Sequence, residues 1–520
     1  MVAVFNKELL SWYLITLKLK ETVESGLPKS QPSSPSPAAA AADPPPPPPQ
    51  LSPADAEWIV SIKEKLEQAQ QEEASCPWAR LSIYHVPKSL REGDEKVYVP
   101  QLVSLGPYHR GKRRLRHMEP HKWRALHQVL RRTGHRVELY LDSVRPLEEK
   151  ARACYEGTIA LTSNEFVETM VLDGTFVLEL FRGAAGEGFK ELGYCRNDPI
   201  FAMRGTMHSV QRDMIMLENQ IPLFVLDRLL AVQVGQPDRY GLVARIALRF
   251  FDPLMPTDEP LRRSDRGSGR IEYPSSSSSS THHATSAEFD PLSDDGLHCL
   301  EVFRRSLLRT GPEPAPRVWI RRWSHKRKVV VDKRRQQLIH CVSELRDAGF
   351  QLRRGKTDRF WDIKFQDGVL RIPRLLIHDG TKSLLLNLIA FEQCHVDCGN
   401  DITSYVVFMD NLINSDEDVA YLHYHGIIEH WLGNDGEVAD LFNRLCQEVV
   451  FDINDSYLSG LSEQVNRYYN HKWNSWRASL VHNYFGNPWA IISLVAAVFL
   501  LVLTLLQTYY TIYAYYWPNS

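Results

Sequence analysis

Every familiar catalytic signature is missing from this chain. It has no G-x-S-x-G elbow, no G-x-x-x-x-G-K-[ST] loop, no G-x-G-x-x-G after a strand and no H-E-x-x-H. Cysteine is scarce as well. The eight residues, Cys76, Cys154, Cys195, Cys299, Cys341, Cys394, Cys398 and Cys446, fall at irregular intervals in 520. A secreted disulfide scaffold is small and cysteine-dense, so reduced thiols in a reducing compartment are expected. Neither sign of charge dominates. Lys and Arg total 61 against 63 Asp and Glu, a net charge of −2, so nucleic acid is not an expected partner. The opening MVAVFNKELLSWYLITLKLK lacks the small-residue cleavage site of a signal peptide. Leu9, Leu10, Tyr13, Leu14 and Leu17 instead line one side of an amphipathic helix within residues 1–22.

One further absence is local. No charged side chain occurs from Trp489 to Ser520. Residues 489–512, WAIISLVAAVFLLVLTLLQTYYTI, would be about 36 Å long at a helical rise of ~1.5 Å per residue. That crosses a hydrocarbon core of ~30 Å with some tilt. Trp489 stands at one end and Tyr509, Tyr510 and Trp517 at the other, where interface anchors belong, and residues 513–520 make a short aromatic tail. A soluble core helix rarely lacks a polar face over such a length. The expectation is a C-terminal single-pass transmembrane helix in contact with lipid. Lys472 and Arg477 precede it and no Lys or Arg follows. The positive-inside rule then places the bulk of the chain in the cytosol, with plasma membrane and endomembrane fitting equally.

Between these ends the chain reads as mainly α-helical with a few short strands. Residues 23–56, with six prolines from Pro44 to Pro49, form a Pro/Ala/Ser-rich linker that cannot pack a core. A helical domain is expected over 57–480, interrupted by a Ser-rich loop at about 258–296. Trp58, Ile59, Ile62, Leu66 and Ala69 recur at helical spacing, and a helix passes through Trp123, Leu126 and Leu130. Thr162 and Glu165 have capping-box spacing ahead of a helix through LDGTFVLELF. Gly174 in its middle costs ~1 kcal/mol against alanine unless close packing offsets it. FWDIKFQDGVLRIP alternates about Asp367-Gly368, a type I′ hairpin near 360–373 that sets Phe365 opposite Leu370 and Ile363 opposite Ile372. Further helices are expected near 298–308 and over 383–391, 402–413, 419–432, 438–450 and 457–469.

The stretch DMIMLENQIPLFVLDRLL, residues 213–230, carries the one concentration of polar groups inside an apolar run. Pro222 lacks a backbone donor and in a helix would crowd the carbonyl of Glu218, so the helix kinks or restarts there. Asp213, Glu218, Asn219 and Gln220 then sit where freed backbone groups need partners, and a buried polar group left unpaired costs ~1–3 kcal/mol. Two readings follow. The five residues are a structural signature that ties a broken helix to its neighbours, or Asp213 and Glu218, with Asp173 and nearby histidines, form a carboxylate-based catalytic site.

Other clusters are weaker. CHVDC holds Cys394, His395 and Cys398, but His423 and His425, the nearest complements, have no recognisable pairing motif, so no metal is expected. NSDEDV reads as Ser415 capping a helix with acids in its first turn. Two basic clusters suit an anionic surface: Arg110, Lys112, Arg113, Arg114 and Arg116, and Arg321, Arg322, Lys326, Arg327 and Lys328. No cofactor and no small-molecule substrate is indicated.

IYHVPKSL, YVPQLVSLGPYHRGKRRLRHMEPHKW, VLDGTFVLELF, DMIMLENQIPLFVLDRLL, LRIPRLLIHDGTKSLLLNLIAFEQC and ITSYVVFMDNLI occur in this order. Together they resemble the plant "domain of unknown function 247" family, from about Ile83 to Tyr516. The resemblance implies a largely helical, membrane-anchored plant protein with no established enzymatic activity. It also implies a recognition role in some grass members, which are implicated in self-incompatibility. It carries over no catalytic or ligand residue. The expectation is a non-enzymatic protein-interaction or signalling module with a protein partner, held at a membrane.

Overall fold

The computed structural model describes residues 58–67, 81–201, 204–235, 241–255, 297–308, 338–357, 359–395, 397–470 and 488–516. The expected helix within 1–22, the linker 23–56, the Ser-rich loop at 258–296, Trp517 and the cluster at Arg321, Arg322, Lys326, Arg327 and Lys328 lie outside them. The chain divides into two compact units, Met1–Ser75 and Cys76–Ser520. In the first, residues 58–67 are helical, as the spacing of Trp58, Ile59, Ile62 and Leu66 predicts.

The second unit is mostly helical. Its first long helix, α1 (Glu119–Thr133), begins with Pro120 in its first turn and ends at Gly134, whose φ of 70° gives the left-handed cap. It turns Lys122, Ala125, Leu126 and Val129 inward, while Trp123 is exposed. A charged residue thus occupies the buried face and an indole the outer one. α2 (Val137–Val144) follows.

α3 (Ser163–Arg182) starts at the expected capping box: Thr162 Oγ1 accepts the Glu165 N–H, and Glu165 Oε2 accepts the Thr162 N–H. Every residue from 169 to 181 is buried, so this helix is the axle of the domain. α1, α2, α5 (Leu223–Val234) and α6 (Leu242–Phe251) pack around it. A Cβ on Gly174 would lie 2.5 Å from Leu229 Cδ1 and 3.3 Å from Leu226 Cδ2, so the missing side chain is what lets α5 approach. α4 (Arg204–Met214) precedes α5, and α7 (Cys299–Leu308) and α8 (Val342–Asp347) follow α6.

β1 (Gln351–Arg354), β2 (Lys364–Gln366) and β3 (Val369–Ile372) form a sheet of order β1-β3-β2. The turn is as expected, with φ of 49° at Asp367 and 77° at Gly368, and Phe365 pairs with Leu370; the ladder is shorter than expected, since Ile363 precedes β2 and Ile372 pairs with Arg354 of β1. β1, unanticipated, adds in parallel to β3, and Leu352, Leu370 and Ile372 enter the core.

A second pair joins β4 (Leu375–Ile377) to β5 (Ile428–His430) in parallel. Between these strands run α9 (Thr381–Cys394), α10 (Asp401–Leu412) and α11 (Asp416–Tyr424). The helix expected over 419–432 is therefore corrected. It ends at Tyr424, Gly426 reverses the chain at a φ of 66°, and the next residues are strand. α12 (Asp435–Leu445) and α13 (Ser459–Tyr469) complete the domain, α12 ending short of the expected Val450.

α14 (Pro488–Tyr516) contains the expected span. Residues Val495–Tyr513 have a mean hydropathy of 1.9 and none of that stretch is buried, so this helix is long and apolar enough to cross a membrane. It continues beyond 512 because no breaker precedes Pro518.

Candidate functional site

The helical pattern of 213–230 breaks more completely than a kink. α4 ends at Met214 and α5 starts at Leu223, with Pro222 as its N-cap at a φ of −56°. Residues 215–222 are non-helical, so Pro222 makes no clash with Glu218 and simply opens the second helix. The freed amides and carbonyls lie in the core, because 213–223 are all buried. Each must find a partner.

The polar side chains of this break supply them, mostly to backbone far away in sequence. Asp213 accepts the N–H groups of Gln101, Leu102 and Val103, all three on Oδ2, at 3.0, 2.6 and 3.0 Å. Burial pushes its carboxyl up, and the three amides pull it back. Asn219 uses both ends: Oδ1 accepts Leu105 N–H at 2.7 Å, while Nδ2 donates to the carbonyls of Val103 and Asp213. Gln220 donates to the carbonyls of Met214 and Met216 and accepts the Leu300 N–H. Glu218 accepts the Val86 N–H at 2.8 Å and the Arg91 guanidinium.

A second buried acid joins the same loop. Asp173 on α3 lies 2.7 Å from Lys122 Nζ and accepts the Gly106 N–H at 3.0 Å. Burial pushes its carboxyl up against the pull of the Lys122 ammonium. Gly106 has a φ of 68°, and a Cβ there would lie 2.7 Å from the Gln220 carbonyl. Residues 101–106 are therefore threaded between α3 and the 213–220 break with no room for a side chain at 106.

Two histidines lie 3.6 Å from the Glu218 carboxylate, the exposed His85 and the buried His109; the second, His109, belongs to the interior. It is buried, and Nδ1 lies 2.6 Å from Lys112 Nζ, so the ring proton sits on Nε2. Nε2 is 3.6 Å from Glu218 Oε2, beyond hydrogen-bonding range. Burial, then Lys112, lowers its pKa to about 3. The chemistry available here is retention of ionised and neutral groups in fixed places. Asp213 and Glu218 hold different parts of the chain, residues 101–103 and residues 86 and 91, and both are engaged by main-chain donors.

Several participants carry no sequence flag of their own. Lys122 hides among surface-like basic residues. His298 precedes α7, where its Nδ1 accepts the Glu301 N–H and its Nε2 bonds the Ser82 carbonyl at 2.9 Å. Asn387 does carry a signal, a lone amide in LLLNLIAF: its Oδ1 accepts Leu217 N–H and its Nδ2 donates to Val97 O.

The remaining candidates separate. Arg110 is committed to Glu168 and Thr169, whereas Arg113, Arg114 and Arg116 are exposed on a 3-10 turn with Lys112 beside them. Ser415 caps α11 as read from NSDEDV, with its hydroxyl accepting Asp418 N–H. In CHVDC, His395 Nδ1 lies 2.8 Å from the Tyr84 hydroxyl, and burial pushes the Cys394 and Cys398 thiols up to about 12. His425 turns onto Tyr421, stacking on its ring and bonding its carbonyl. Among the described residues, the side chains grouped so as to hold a metal ion are His423, His430 and Asp435. A separate cleft of about 440 Å³ is lined by Glu92, Asp94, Tyr98, Ile389, Arg444 and Glu448. Tyr509 and Tyr510 are exposed on α14, which also includes position 489.

Residues 83–503 match a family described as plant protein of unknown function, domain of unknown function 247. Two proteins of Arabidopsis thaliana are similar over most of their length. UPF0481 protein At3g47200 is 32% identical over 446 residues, which cover 83% of this chain and 86% of the relative. A second UPF0481 protein, At3g02645, is 24% identical over 524 residues, covering 88% of this chain and 95% of the relative. No solved structure matches the chain.

Proposed function

The chain belongs to this plant family of unknown function, and on that premise we propose that it is a membrane-anchored binding protein rather than an enzyme. In this reading α14 sits in a bilayer and holds the helical domain at the cytosolic face, where it engages another protein in recognition or signalling. The observation that carries the reading is the span Val495–Tyr513, uncharged throughout, with a mean hydropathy of 1.9 and no part of it buried. Such a surface is unfavourable in water by ~25 cal/mol per Å² and is stabilised by hydrocarbon. Lys472 and Arg477 on one side of the span, against none on the other, support the orientation. The binding role is supported by how the buried acids are used. Asp213, Glu218 and Asp173 all clamp backbone amides, a use that suits a rigid platform. Exposed Arg113, Arg114 and Arg116 offer contacts to an anionic surface.

The test uses the full-length chain in sealed microsomes. It should remain in the pellet after alkaline carbonate, and protease should digest residues 81–470 without detergent. Release by carbonate would overturn the anchor; protection until detergent is added would overturn the orientation.

A further inference from the structure

We propose that His423, His430 and Asp435 form an exchangeable site for a divalent transition metal of the zinc class, with two imidazoles, one carboxylate and one coordination position facing solvent. The three come from different elements within a short stretch. His423 is in the last turn of α11, His430 ends β5, and Asp435 opens α12. Gly426, at a φ of 66°, reverses the chain between the first two. Pairing of His430 with Ile377 on β4 fixes the strand that carries the second ligand. The frame is thus set by backbone hydrogen bonds and does not depend on the ion.

The distances suit a small cation. Asp435 Oδ1 is 2.7 Å from His430 Nε2 and 3.7 Å from His423 Nδ1, and the three ligand atoms lie within 4.8 Å of one another. A tetrahedral ion with bonds of ~2.0–2.1 Å holds its ligand atoms about 3.3 Å apart. The two contacts to Asp435 bracket that value, so each needs a shift of under about 1 Å, while the two imidazole nitrogens close from within 4.8 Å. His423 can supply them, because it is 49% exposed at a helix end. The rings of His423 and His430 meet edge to face, with centroids 5.1 Å apart, which leaves their nitrogens convergent instead of stacked.

Two further observations set this group apart from an ordinary helix cap. Capping of α12 is done by Asn434, whose Oδ1 accepts Glu437 N–H at 2.9 Å, so Asp435 is not consumed by it. The group is also under-bonded. One carboxylate serves one imidazole and leaves the other at 3.7 Å, past hydrogen-bonding range. His430 Nδ1 is buried without a hydrogen-bond partner among the described residues. A cation bound between the ligands would use the His423 nitrogen and the second lone pair of Asp435 together. Imidazole ligands favour Zn²⁺ or Co²⁺ over Ca²⁺ and Mg²⁺, which take oxygen. Metal-bound histidines are ordinarily fixed by a hydrogen bond from the other ring nitrogen. Its absence at His430, with only three protein ligands, makes this an exchangeable site rather than a closed structural one. The spacing H-x6-H-x4-D matches no common zinc motif, which is why the sequence does not announce it.

Cobalt is the probe. The detergent-solubilised full-length chain, stripped with chelator, is titrated with Co²⁺ and followed by visible absorption and by metal content after dialysis. One equivalent should bind with the strong ligand-field bands of a four-coordinate site, and Zn²⁺ should displace it. His423→Ala, at a half-exposed position, should abolish the bands while leaving the circular dichroism unchanged. Asp435→Asn should weaken binding about tenfold or more. Cys394→Ser should bind as the parent does. Failure of the parent chain to bind Co²⁺ would overturn the site. So would retention of full binding by both His423→Ala and Asp435→Asn.

Discussion

Lys122 Nζ lies 2.7 Å from Asp173 Oδ1, and both side chains are almost wholly removed from solvent. Removing one partner of a buried ion pair strands the other charge. Lys122→Met should therefore destabilise the domain by roughly 3–5 kcal/mol. Lys122→Met with Asp173→Leu should recover part of that loss, but not all, because Gly106 N–H then has no acceptor. Thermal unfolding of the solubilised full-length chain, followed by tryptophan fluorescence, checks the order: parent, double variant, single variant.

At Asp213 the geometry separates two substitutions. All three amide donors from 101–103 converge on Oδ2. Asp213→Ala leaves three N–H groups without their acceptor, that of Val103 buried and those of Gln101 and Leu102 partly exposed, and should cost about 1–3 kcal/mol. Asp213→Asn can place its carbonyl oxygen where Oδ2 stands and should lose less than half as much. Equal losses for the two variants, measured by denaturant midpoint, would contradict this account of the carboxylate.

Gly174→Ala sets helix propensity against packing. Alanine is favoured in a helix by ~1 kcal/mol, but its methyl would enter the space of Leu229 Cδ1. Overpacking of this kind costs typically ~1–3 kcal/mol, so a net loss is expected. Leu229→Ala alone should destabilise, yet combined with Gly174→Ala the two should be less damaging than their sum. A double-mutant cycle reads that coupling directly.

Asp410 gives the domain a pH dependence of known sign. It lies in the last turn of α10, where the helix dipole disfavours an anion, and burial pushes its carboxyl from 3.8 up to about 6. The protonated form is the one favoured in the folded chain. Its contribution is complete below pH 3.8 and is lost as pH rises through about 6. Asp410→Asn stays neutral throughout. Its melting temperature should exceed the parent's at pH 8, and the gap should close by about pH 4.

The legible parts of the fold were those with a local cause. The Thr162/Glu165 capping box, the Asp367-Gly368 turn, the Ser415 cap and the apolar run of α14 each need only neighbouring residues, and each appears where the pattern puts it. Helix limits failed at Tyr424, where a left-handed glycine two residues on outweighed apolar continuity. β1 was hidden because QLRR has one buried side chain and acquires strand geometry only by pairing with β3. At the 213–222 break the need for partners was readable from the polar residues themselves. Their identity was not, since the donors are main-chain amides of 86 and 101–105, which carry no side-chain signature. The His423, His430 and Asp435 group was obscured by the same helix error, which placed His430 inside a continuous helix.

The clamp at Asp213 and Asn219 has a temporal side. Its two halves are separated by 112 residues from Gln101 to Asp213 and by 114 from Leu105 to Asn219. At a synthesis rate of ~5–20 residues per second, the earlier half leaves the ribosome roughly 5–20 s before its partner exists. Throughout that interval water or a chaperone must satisfy the amides of 101–106, and the nascent amino-terminal portion can settle only when translation delivers the segment that closes it.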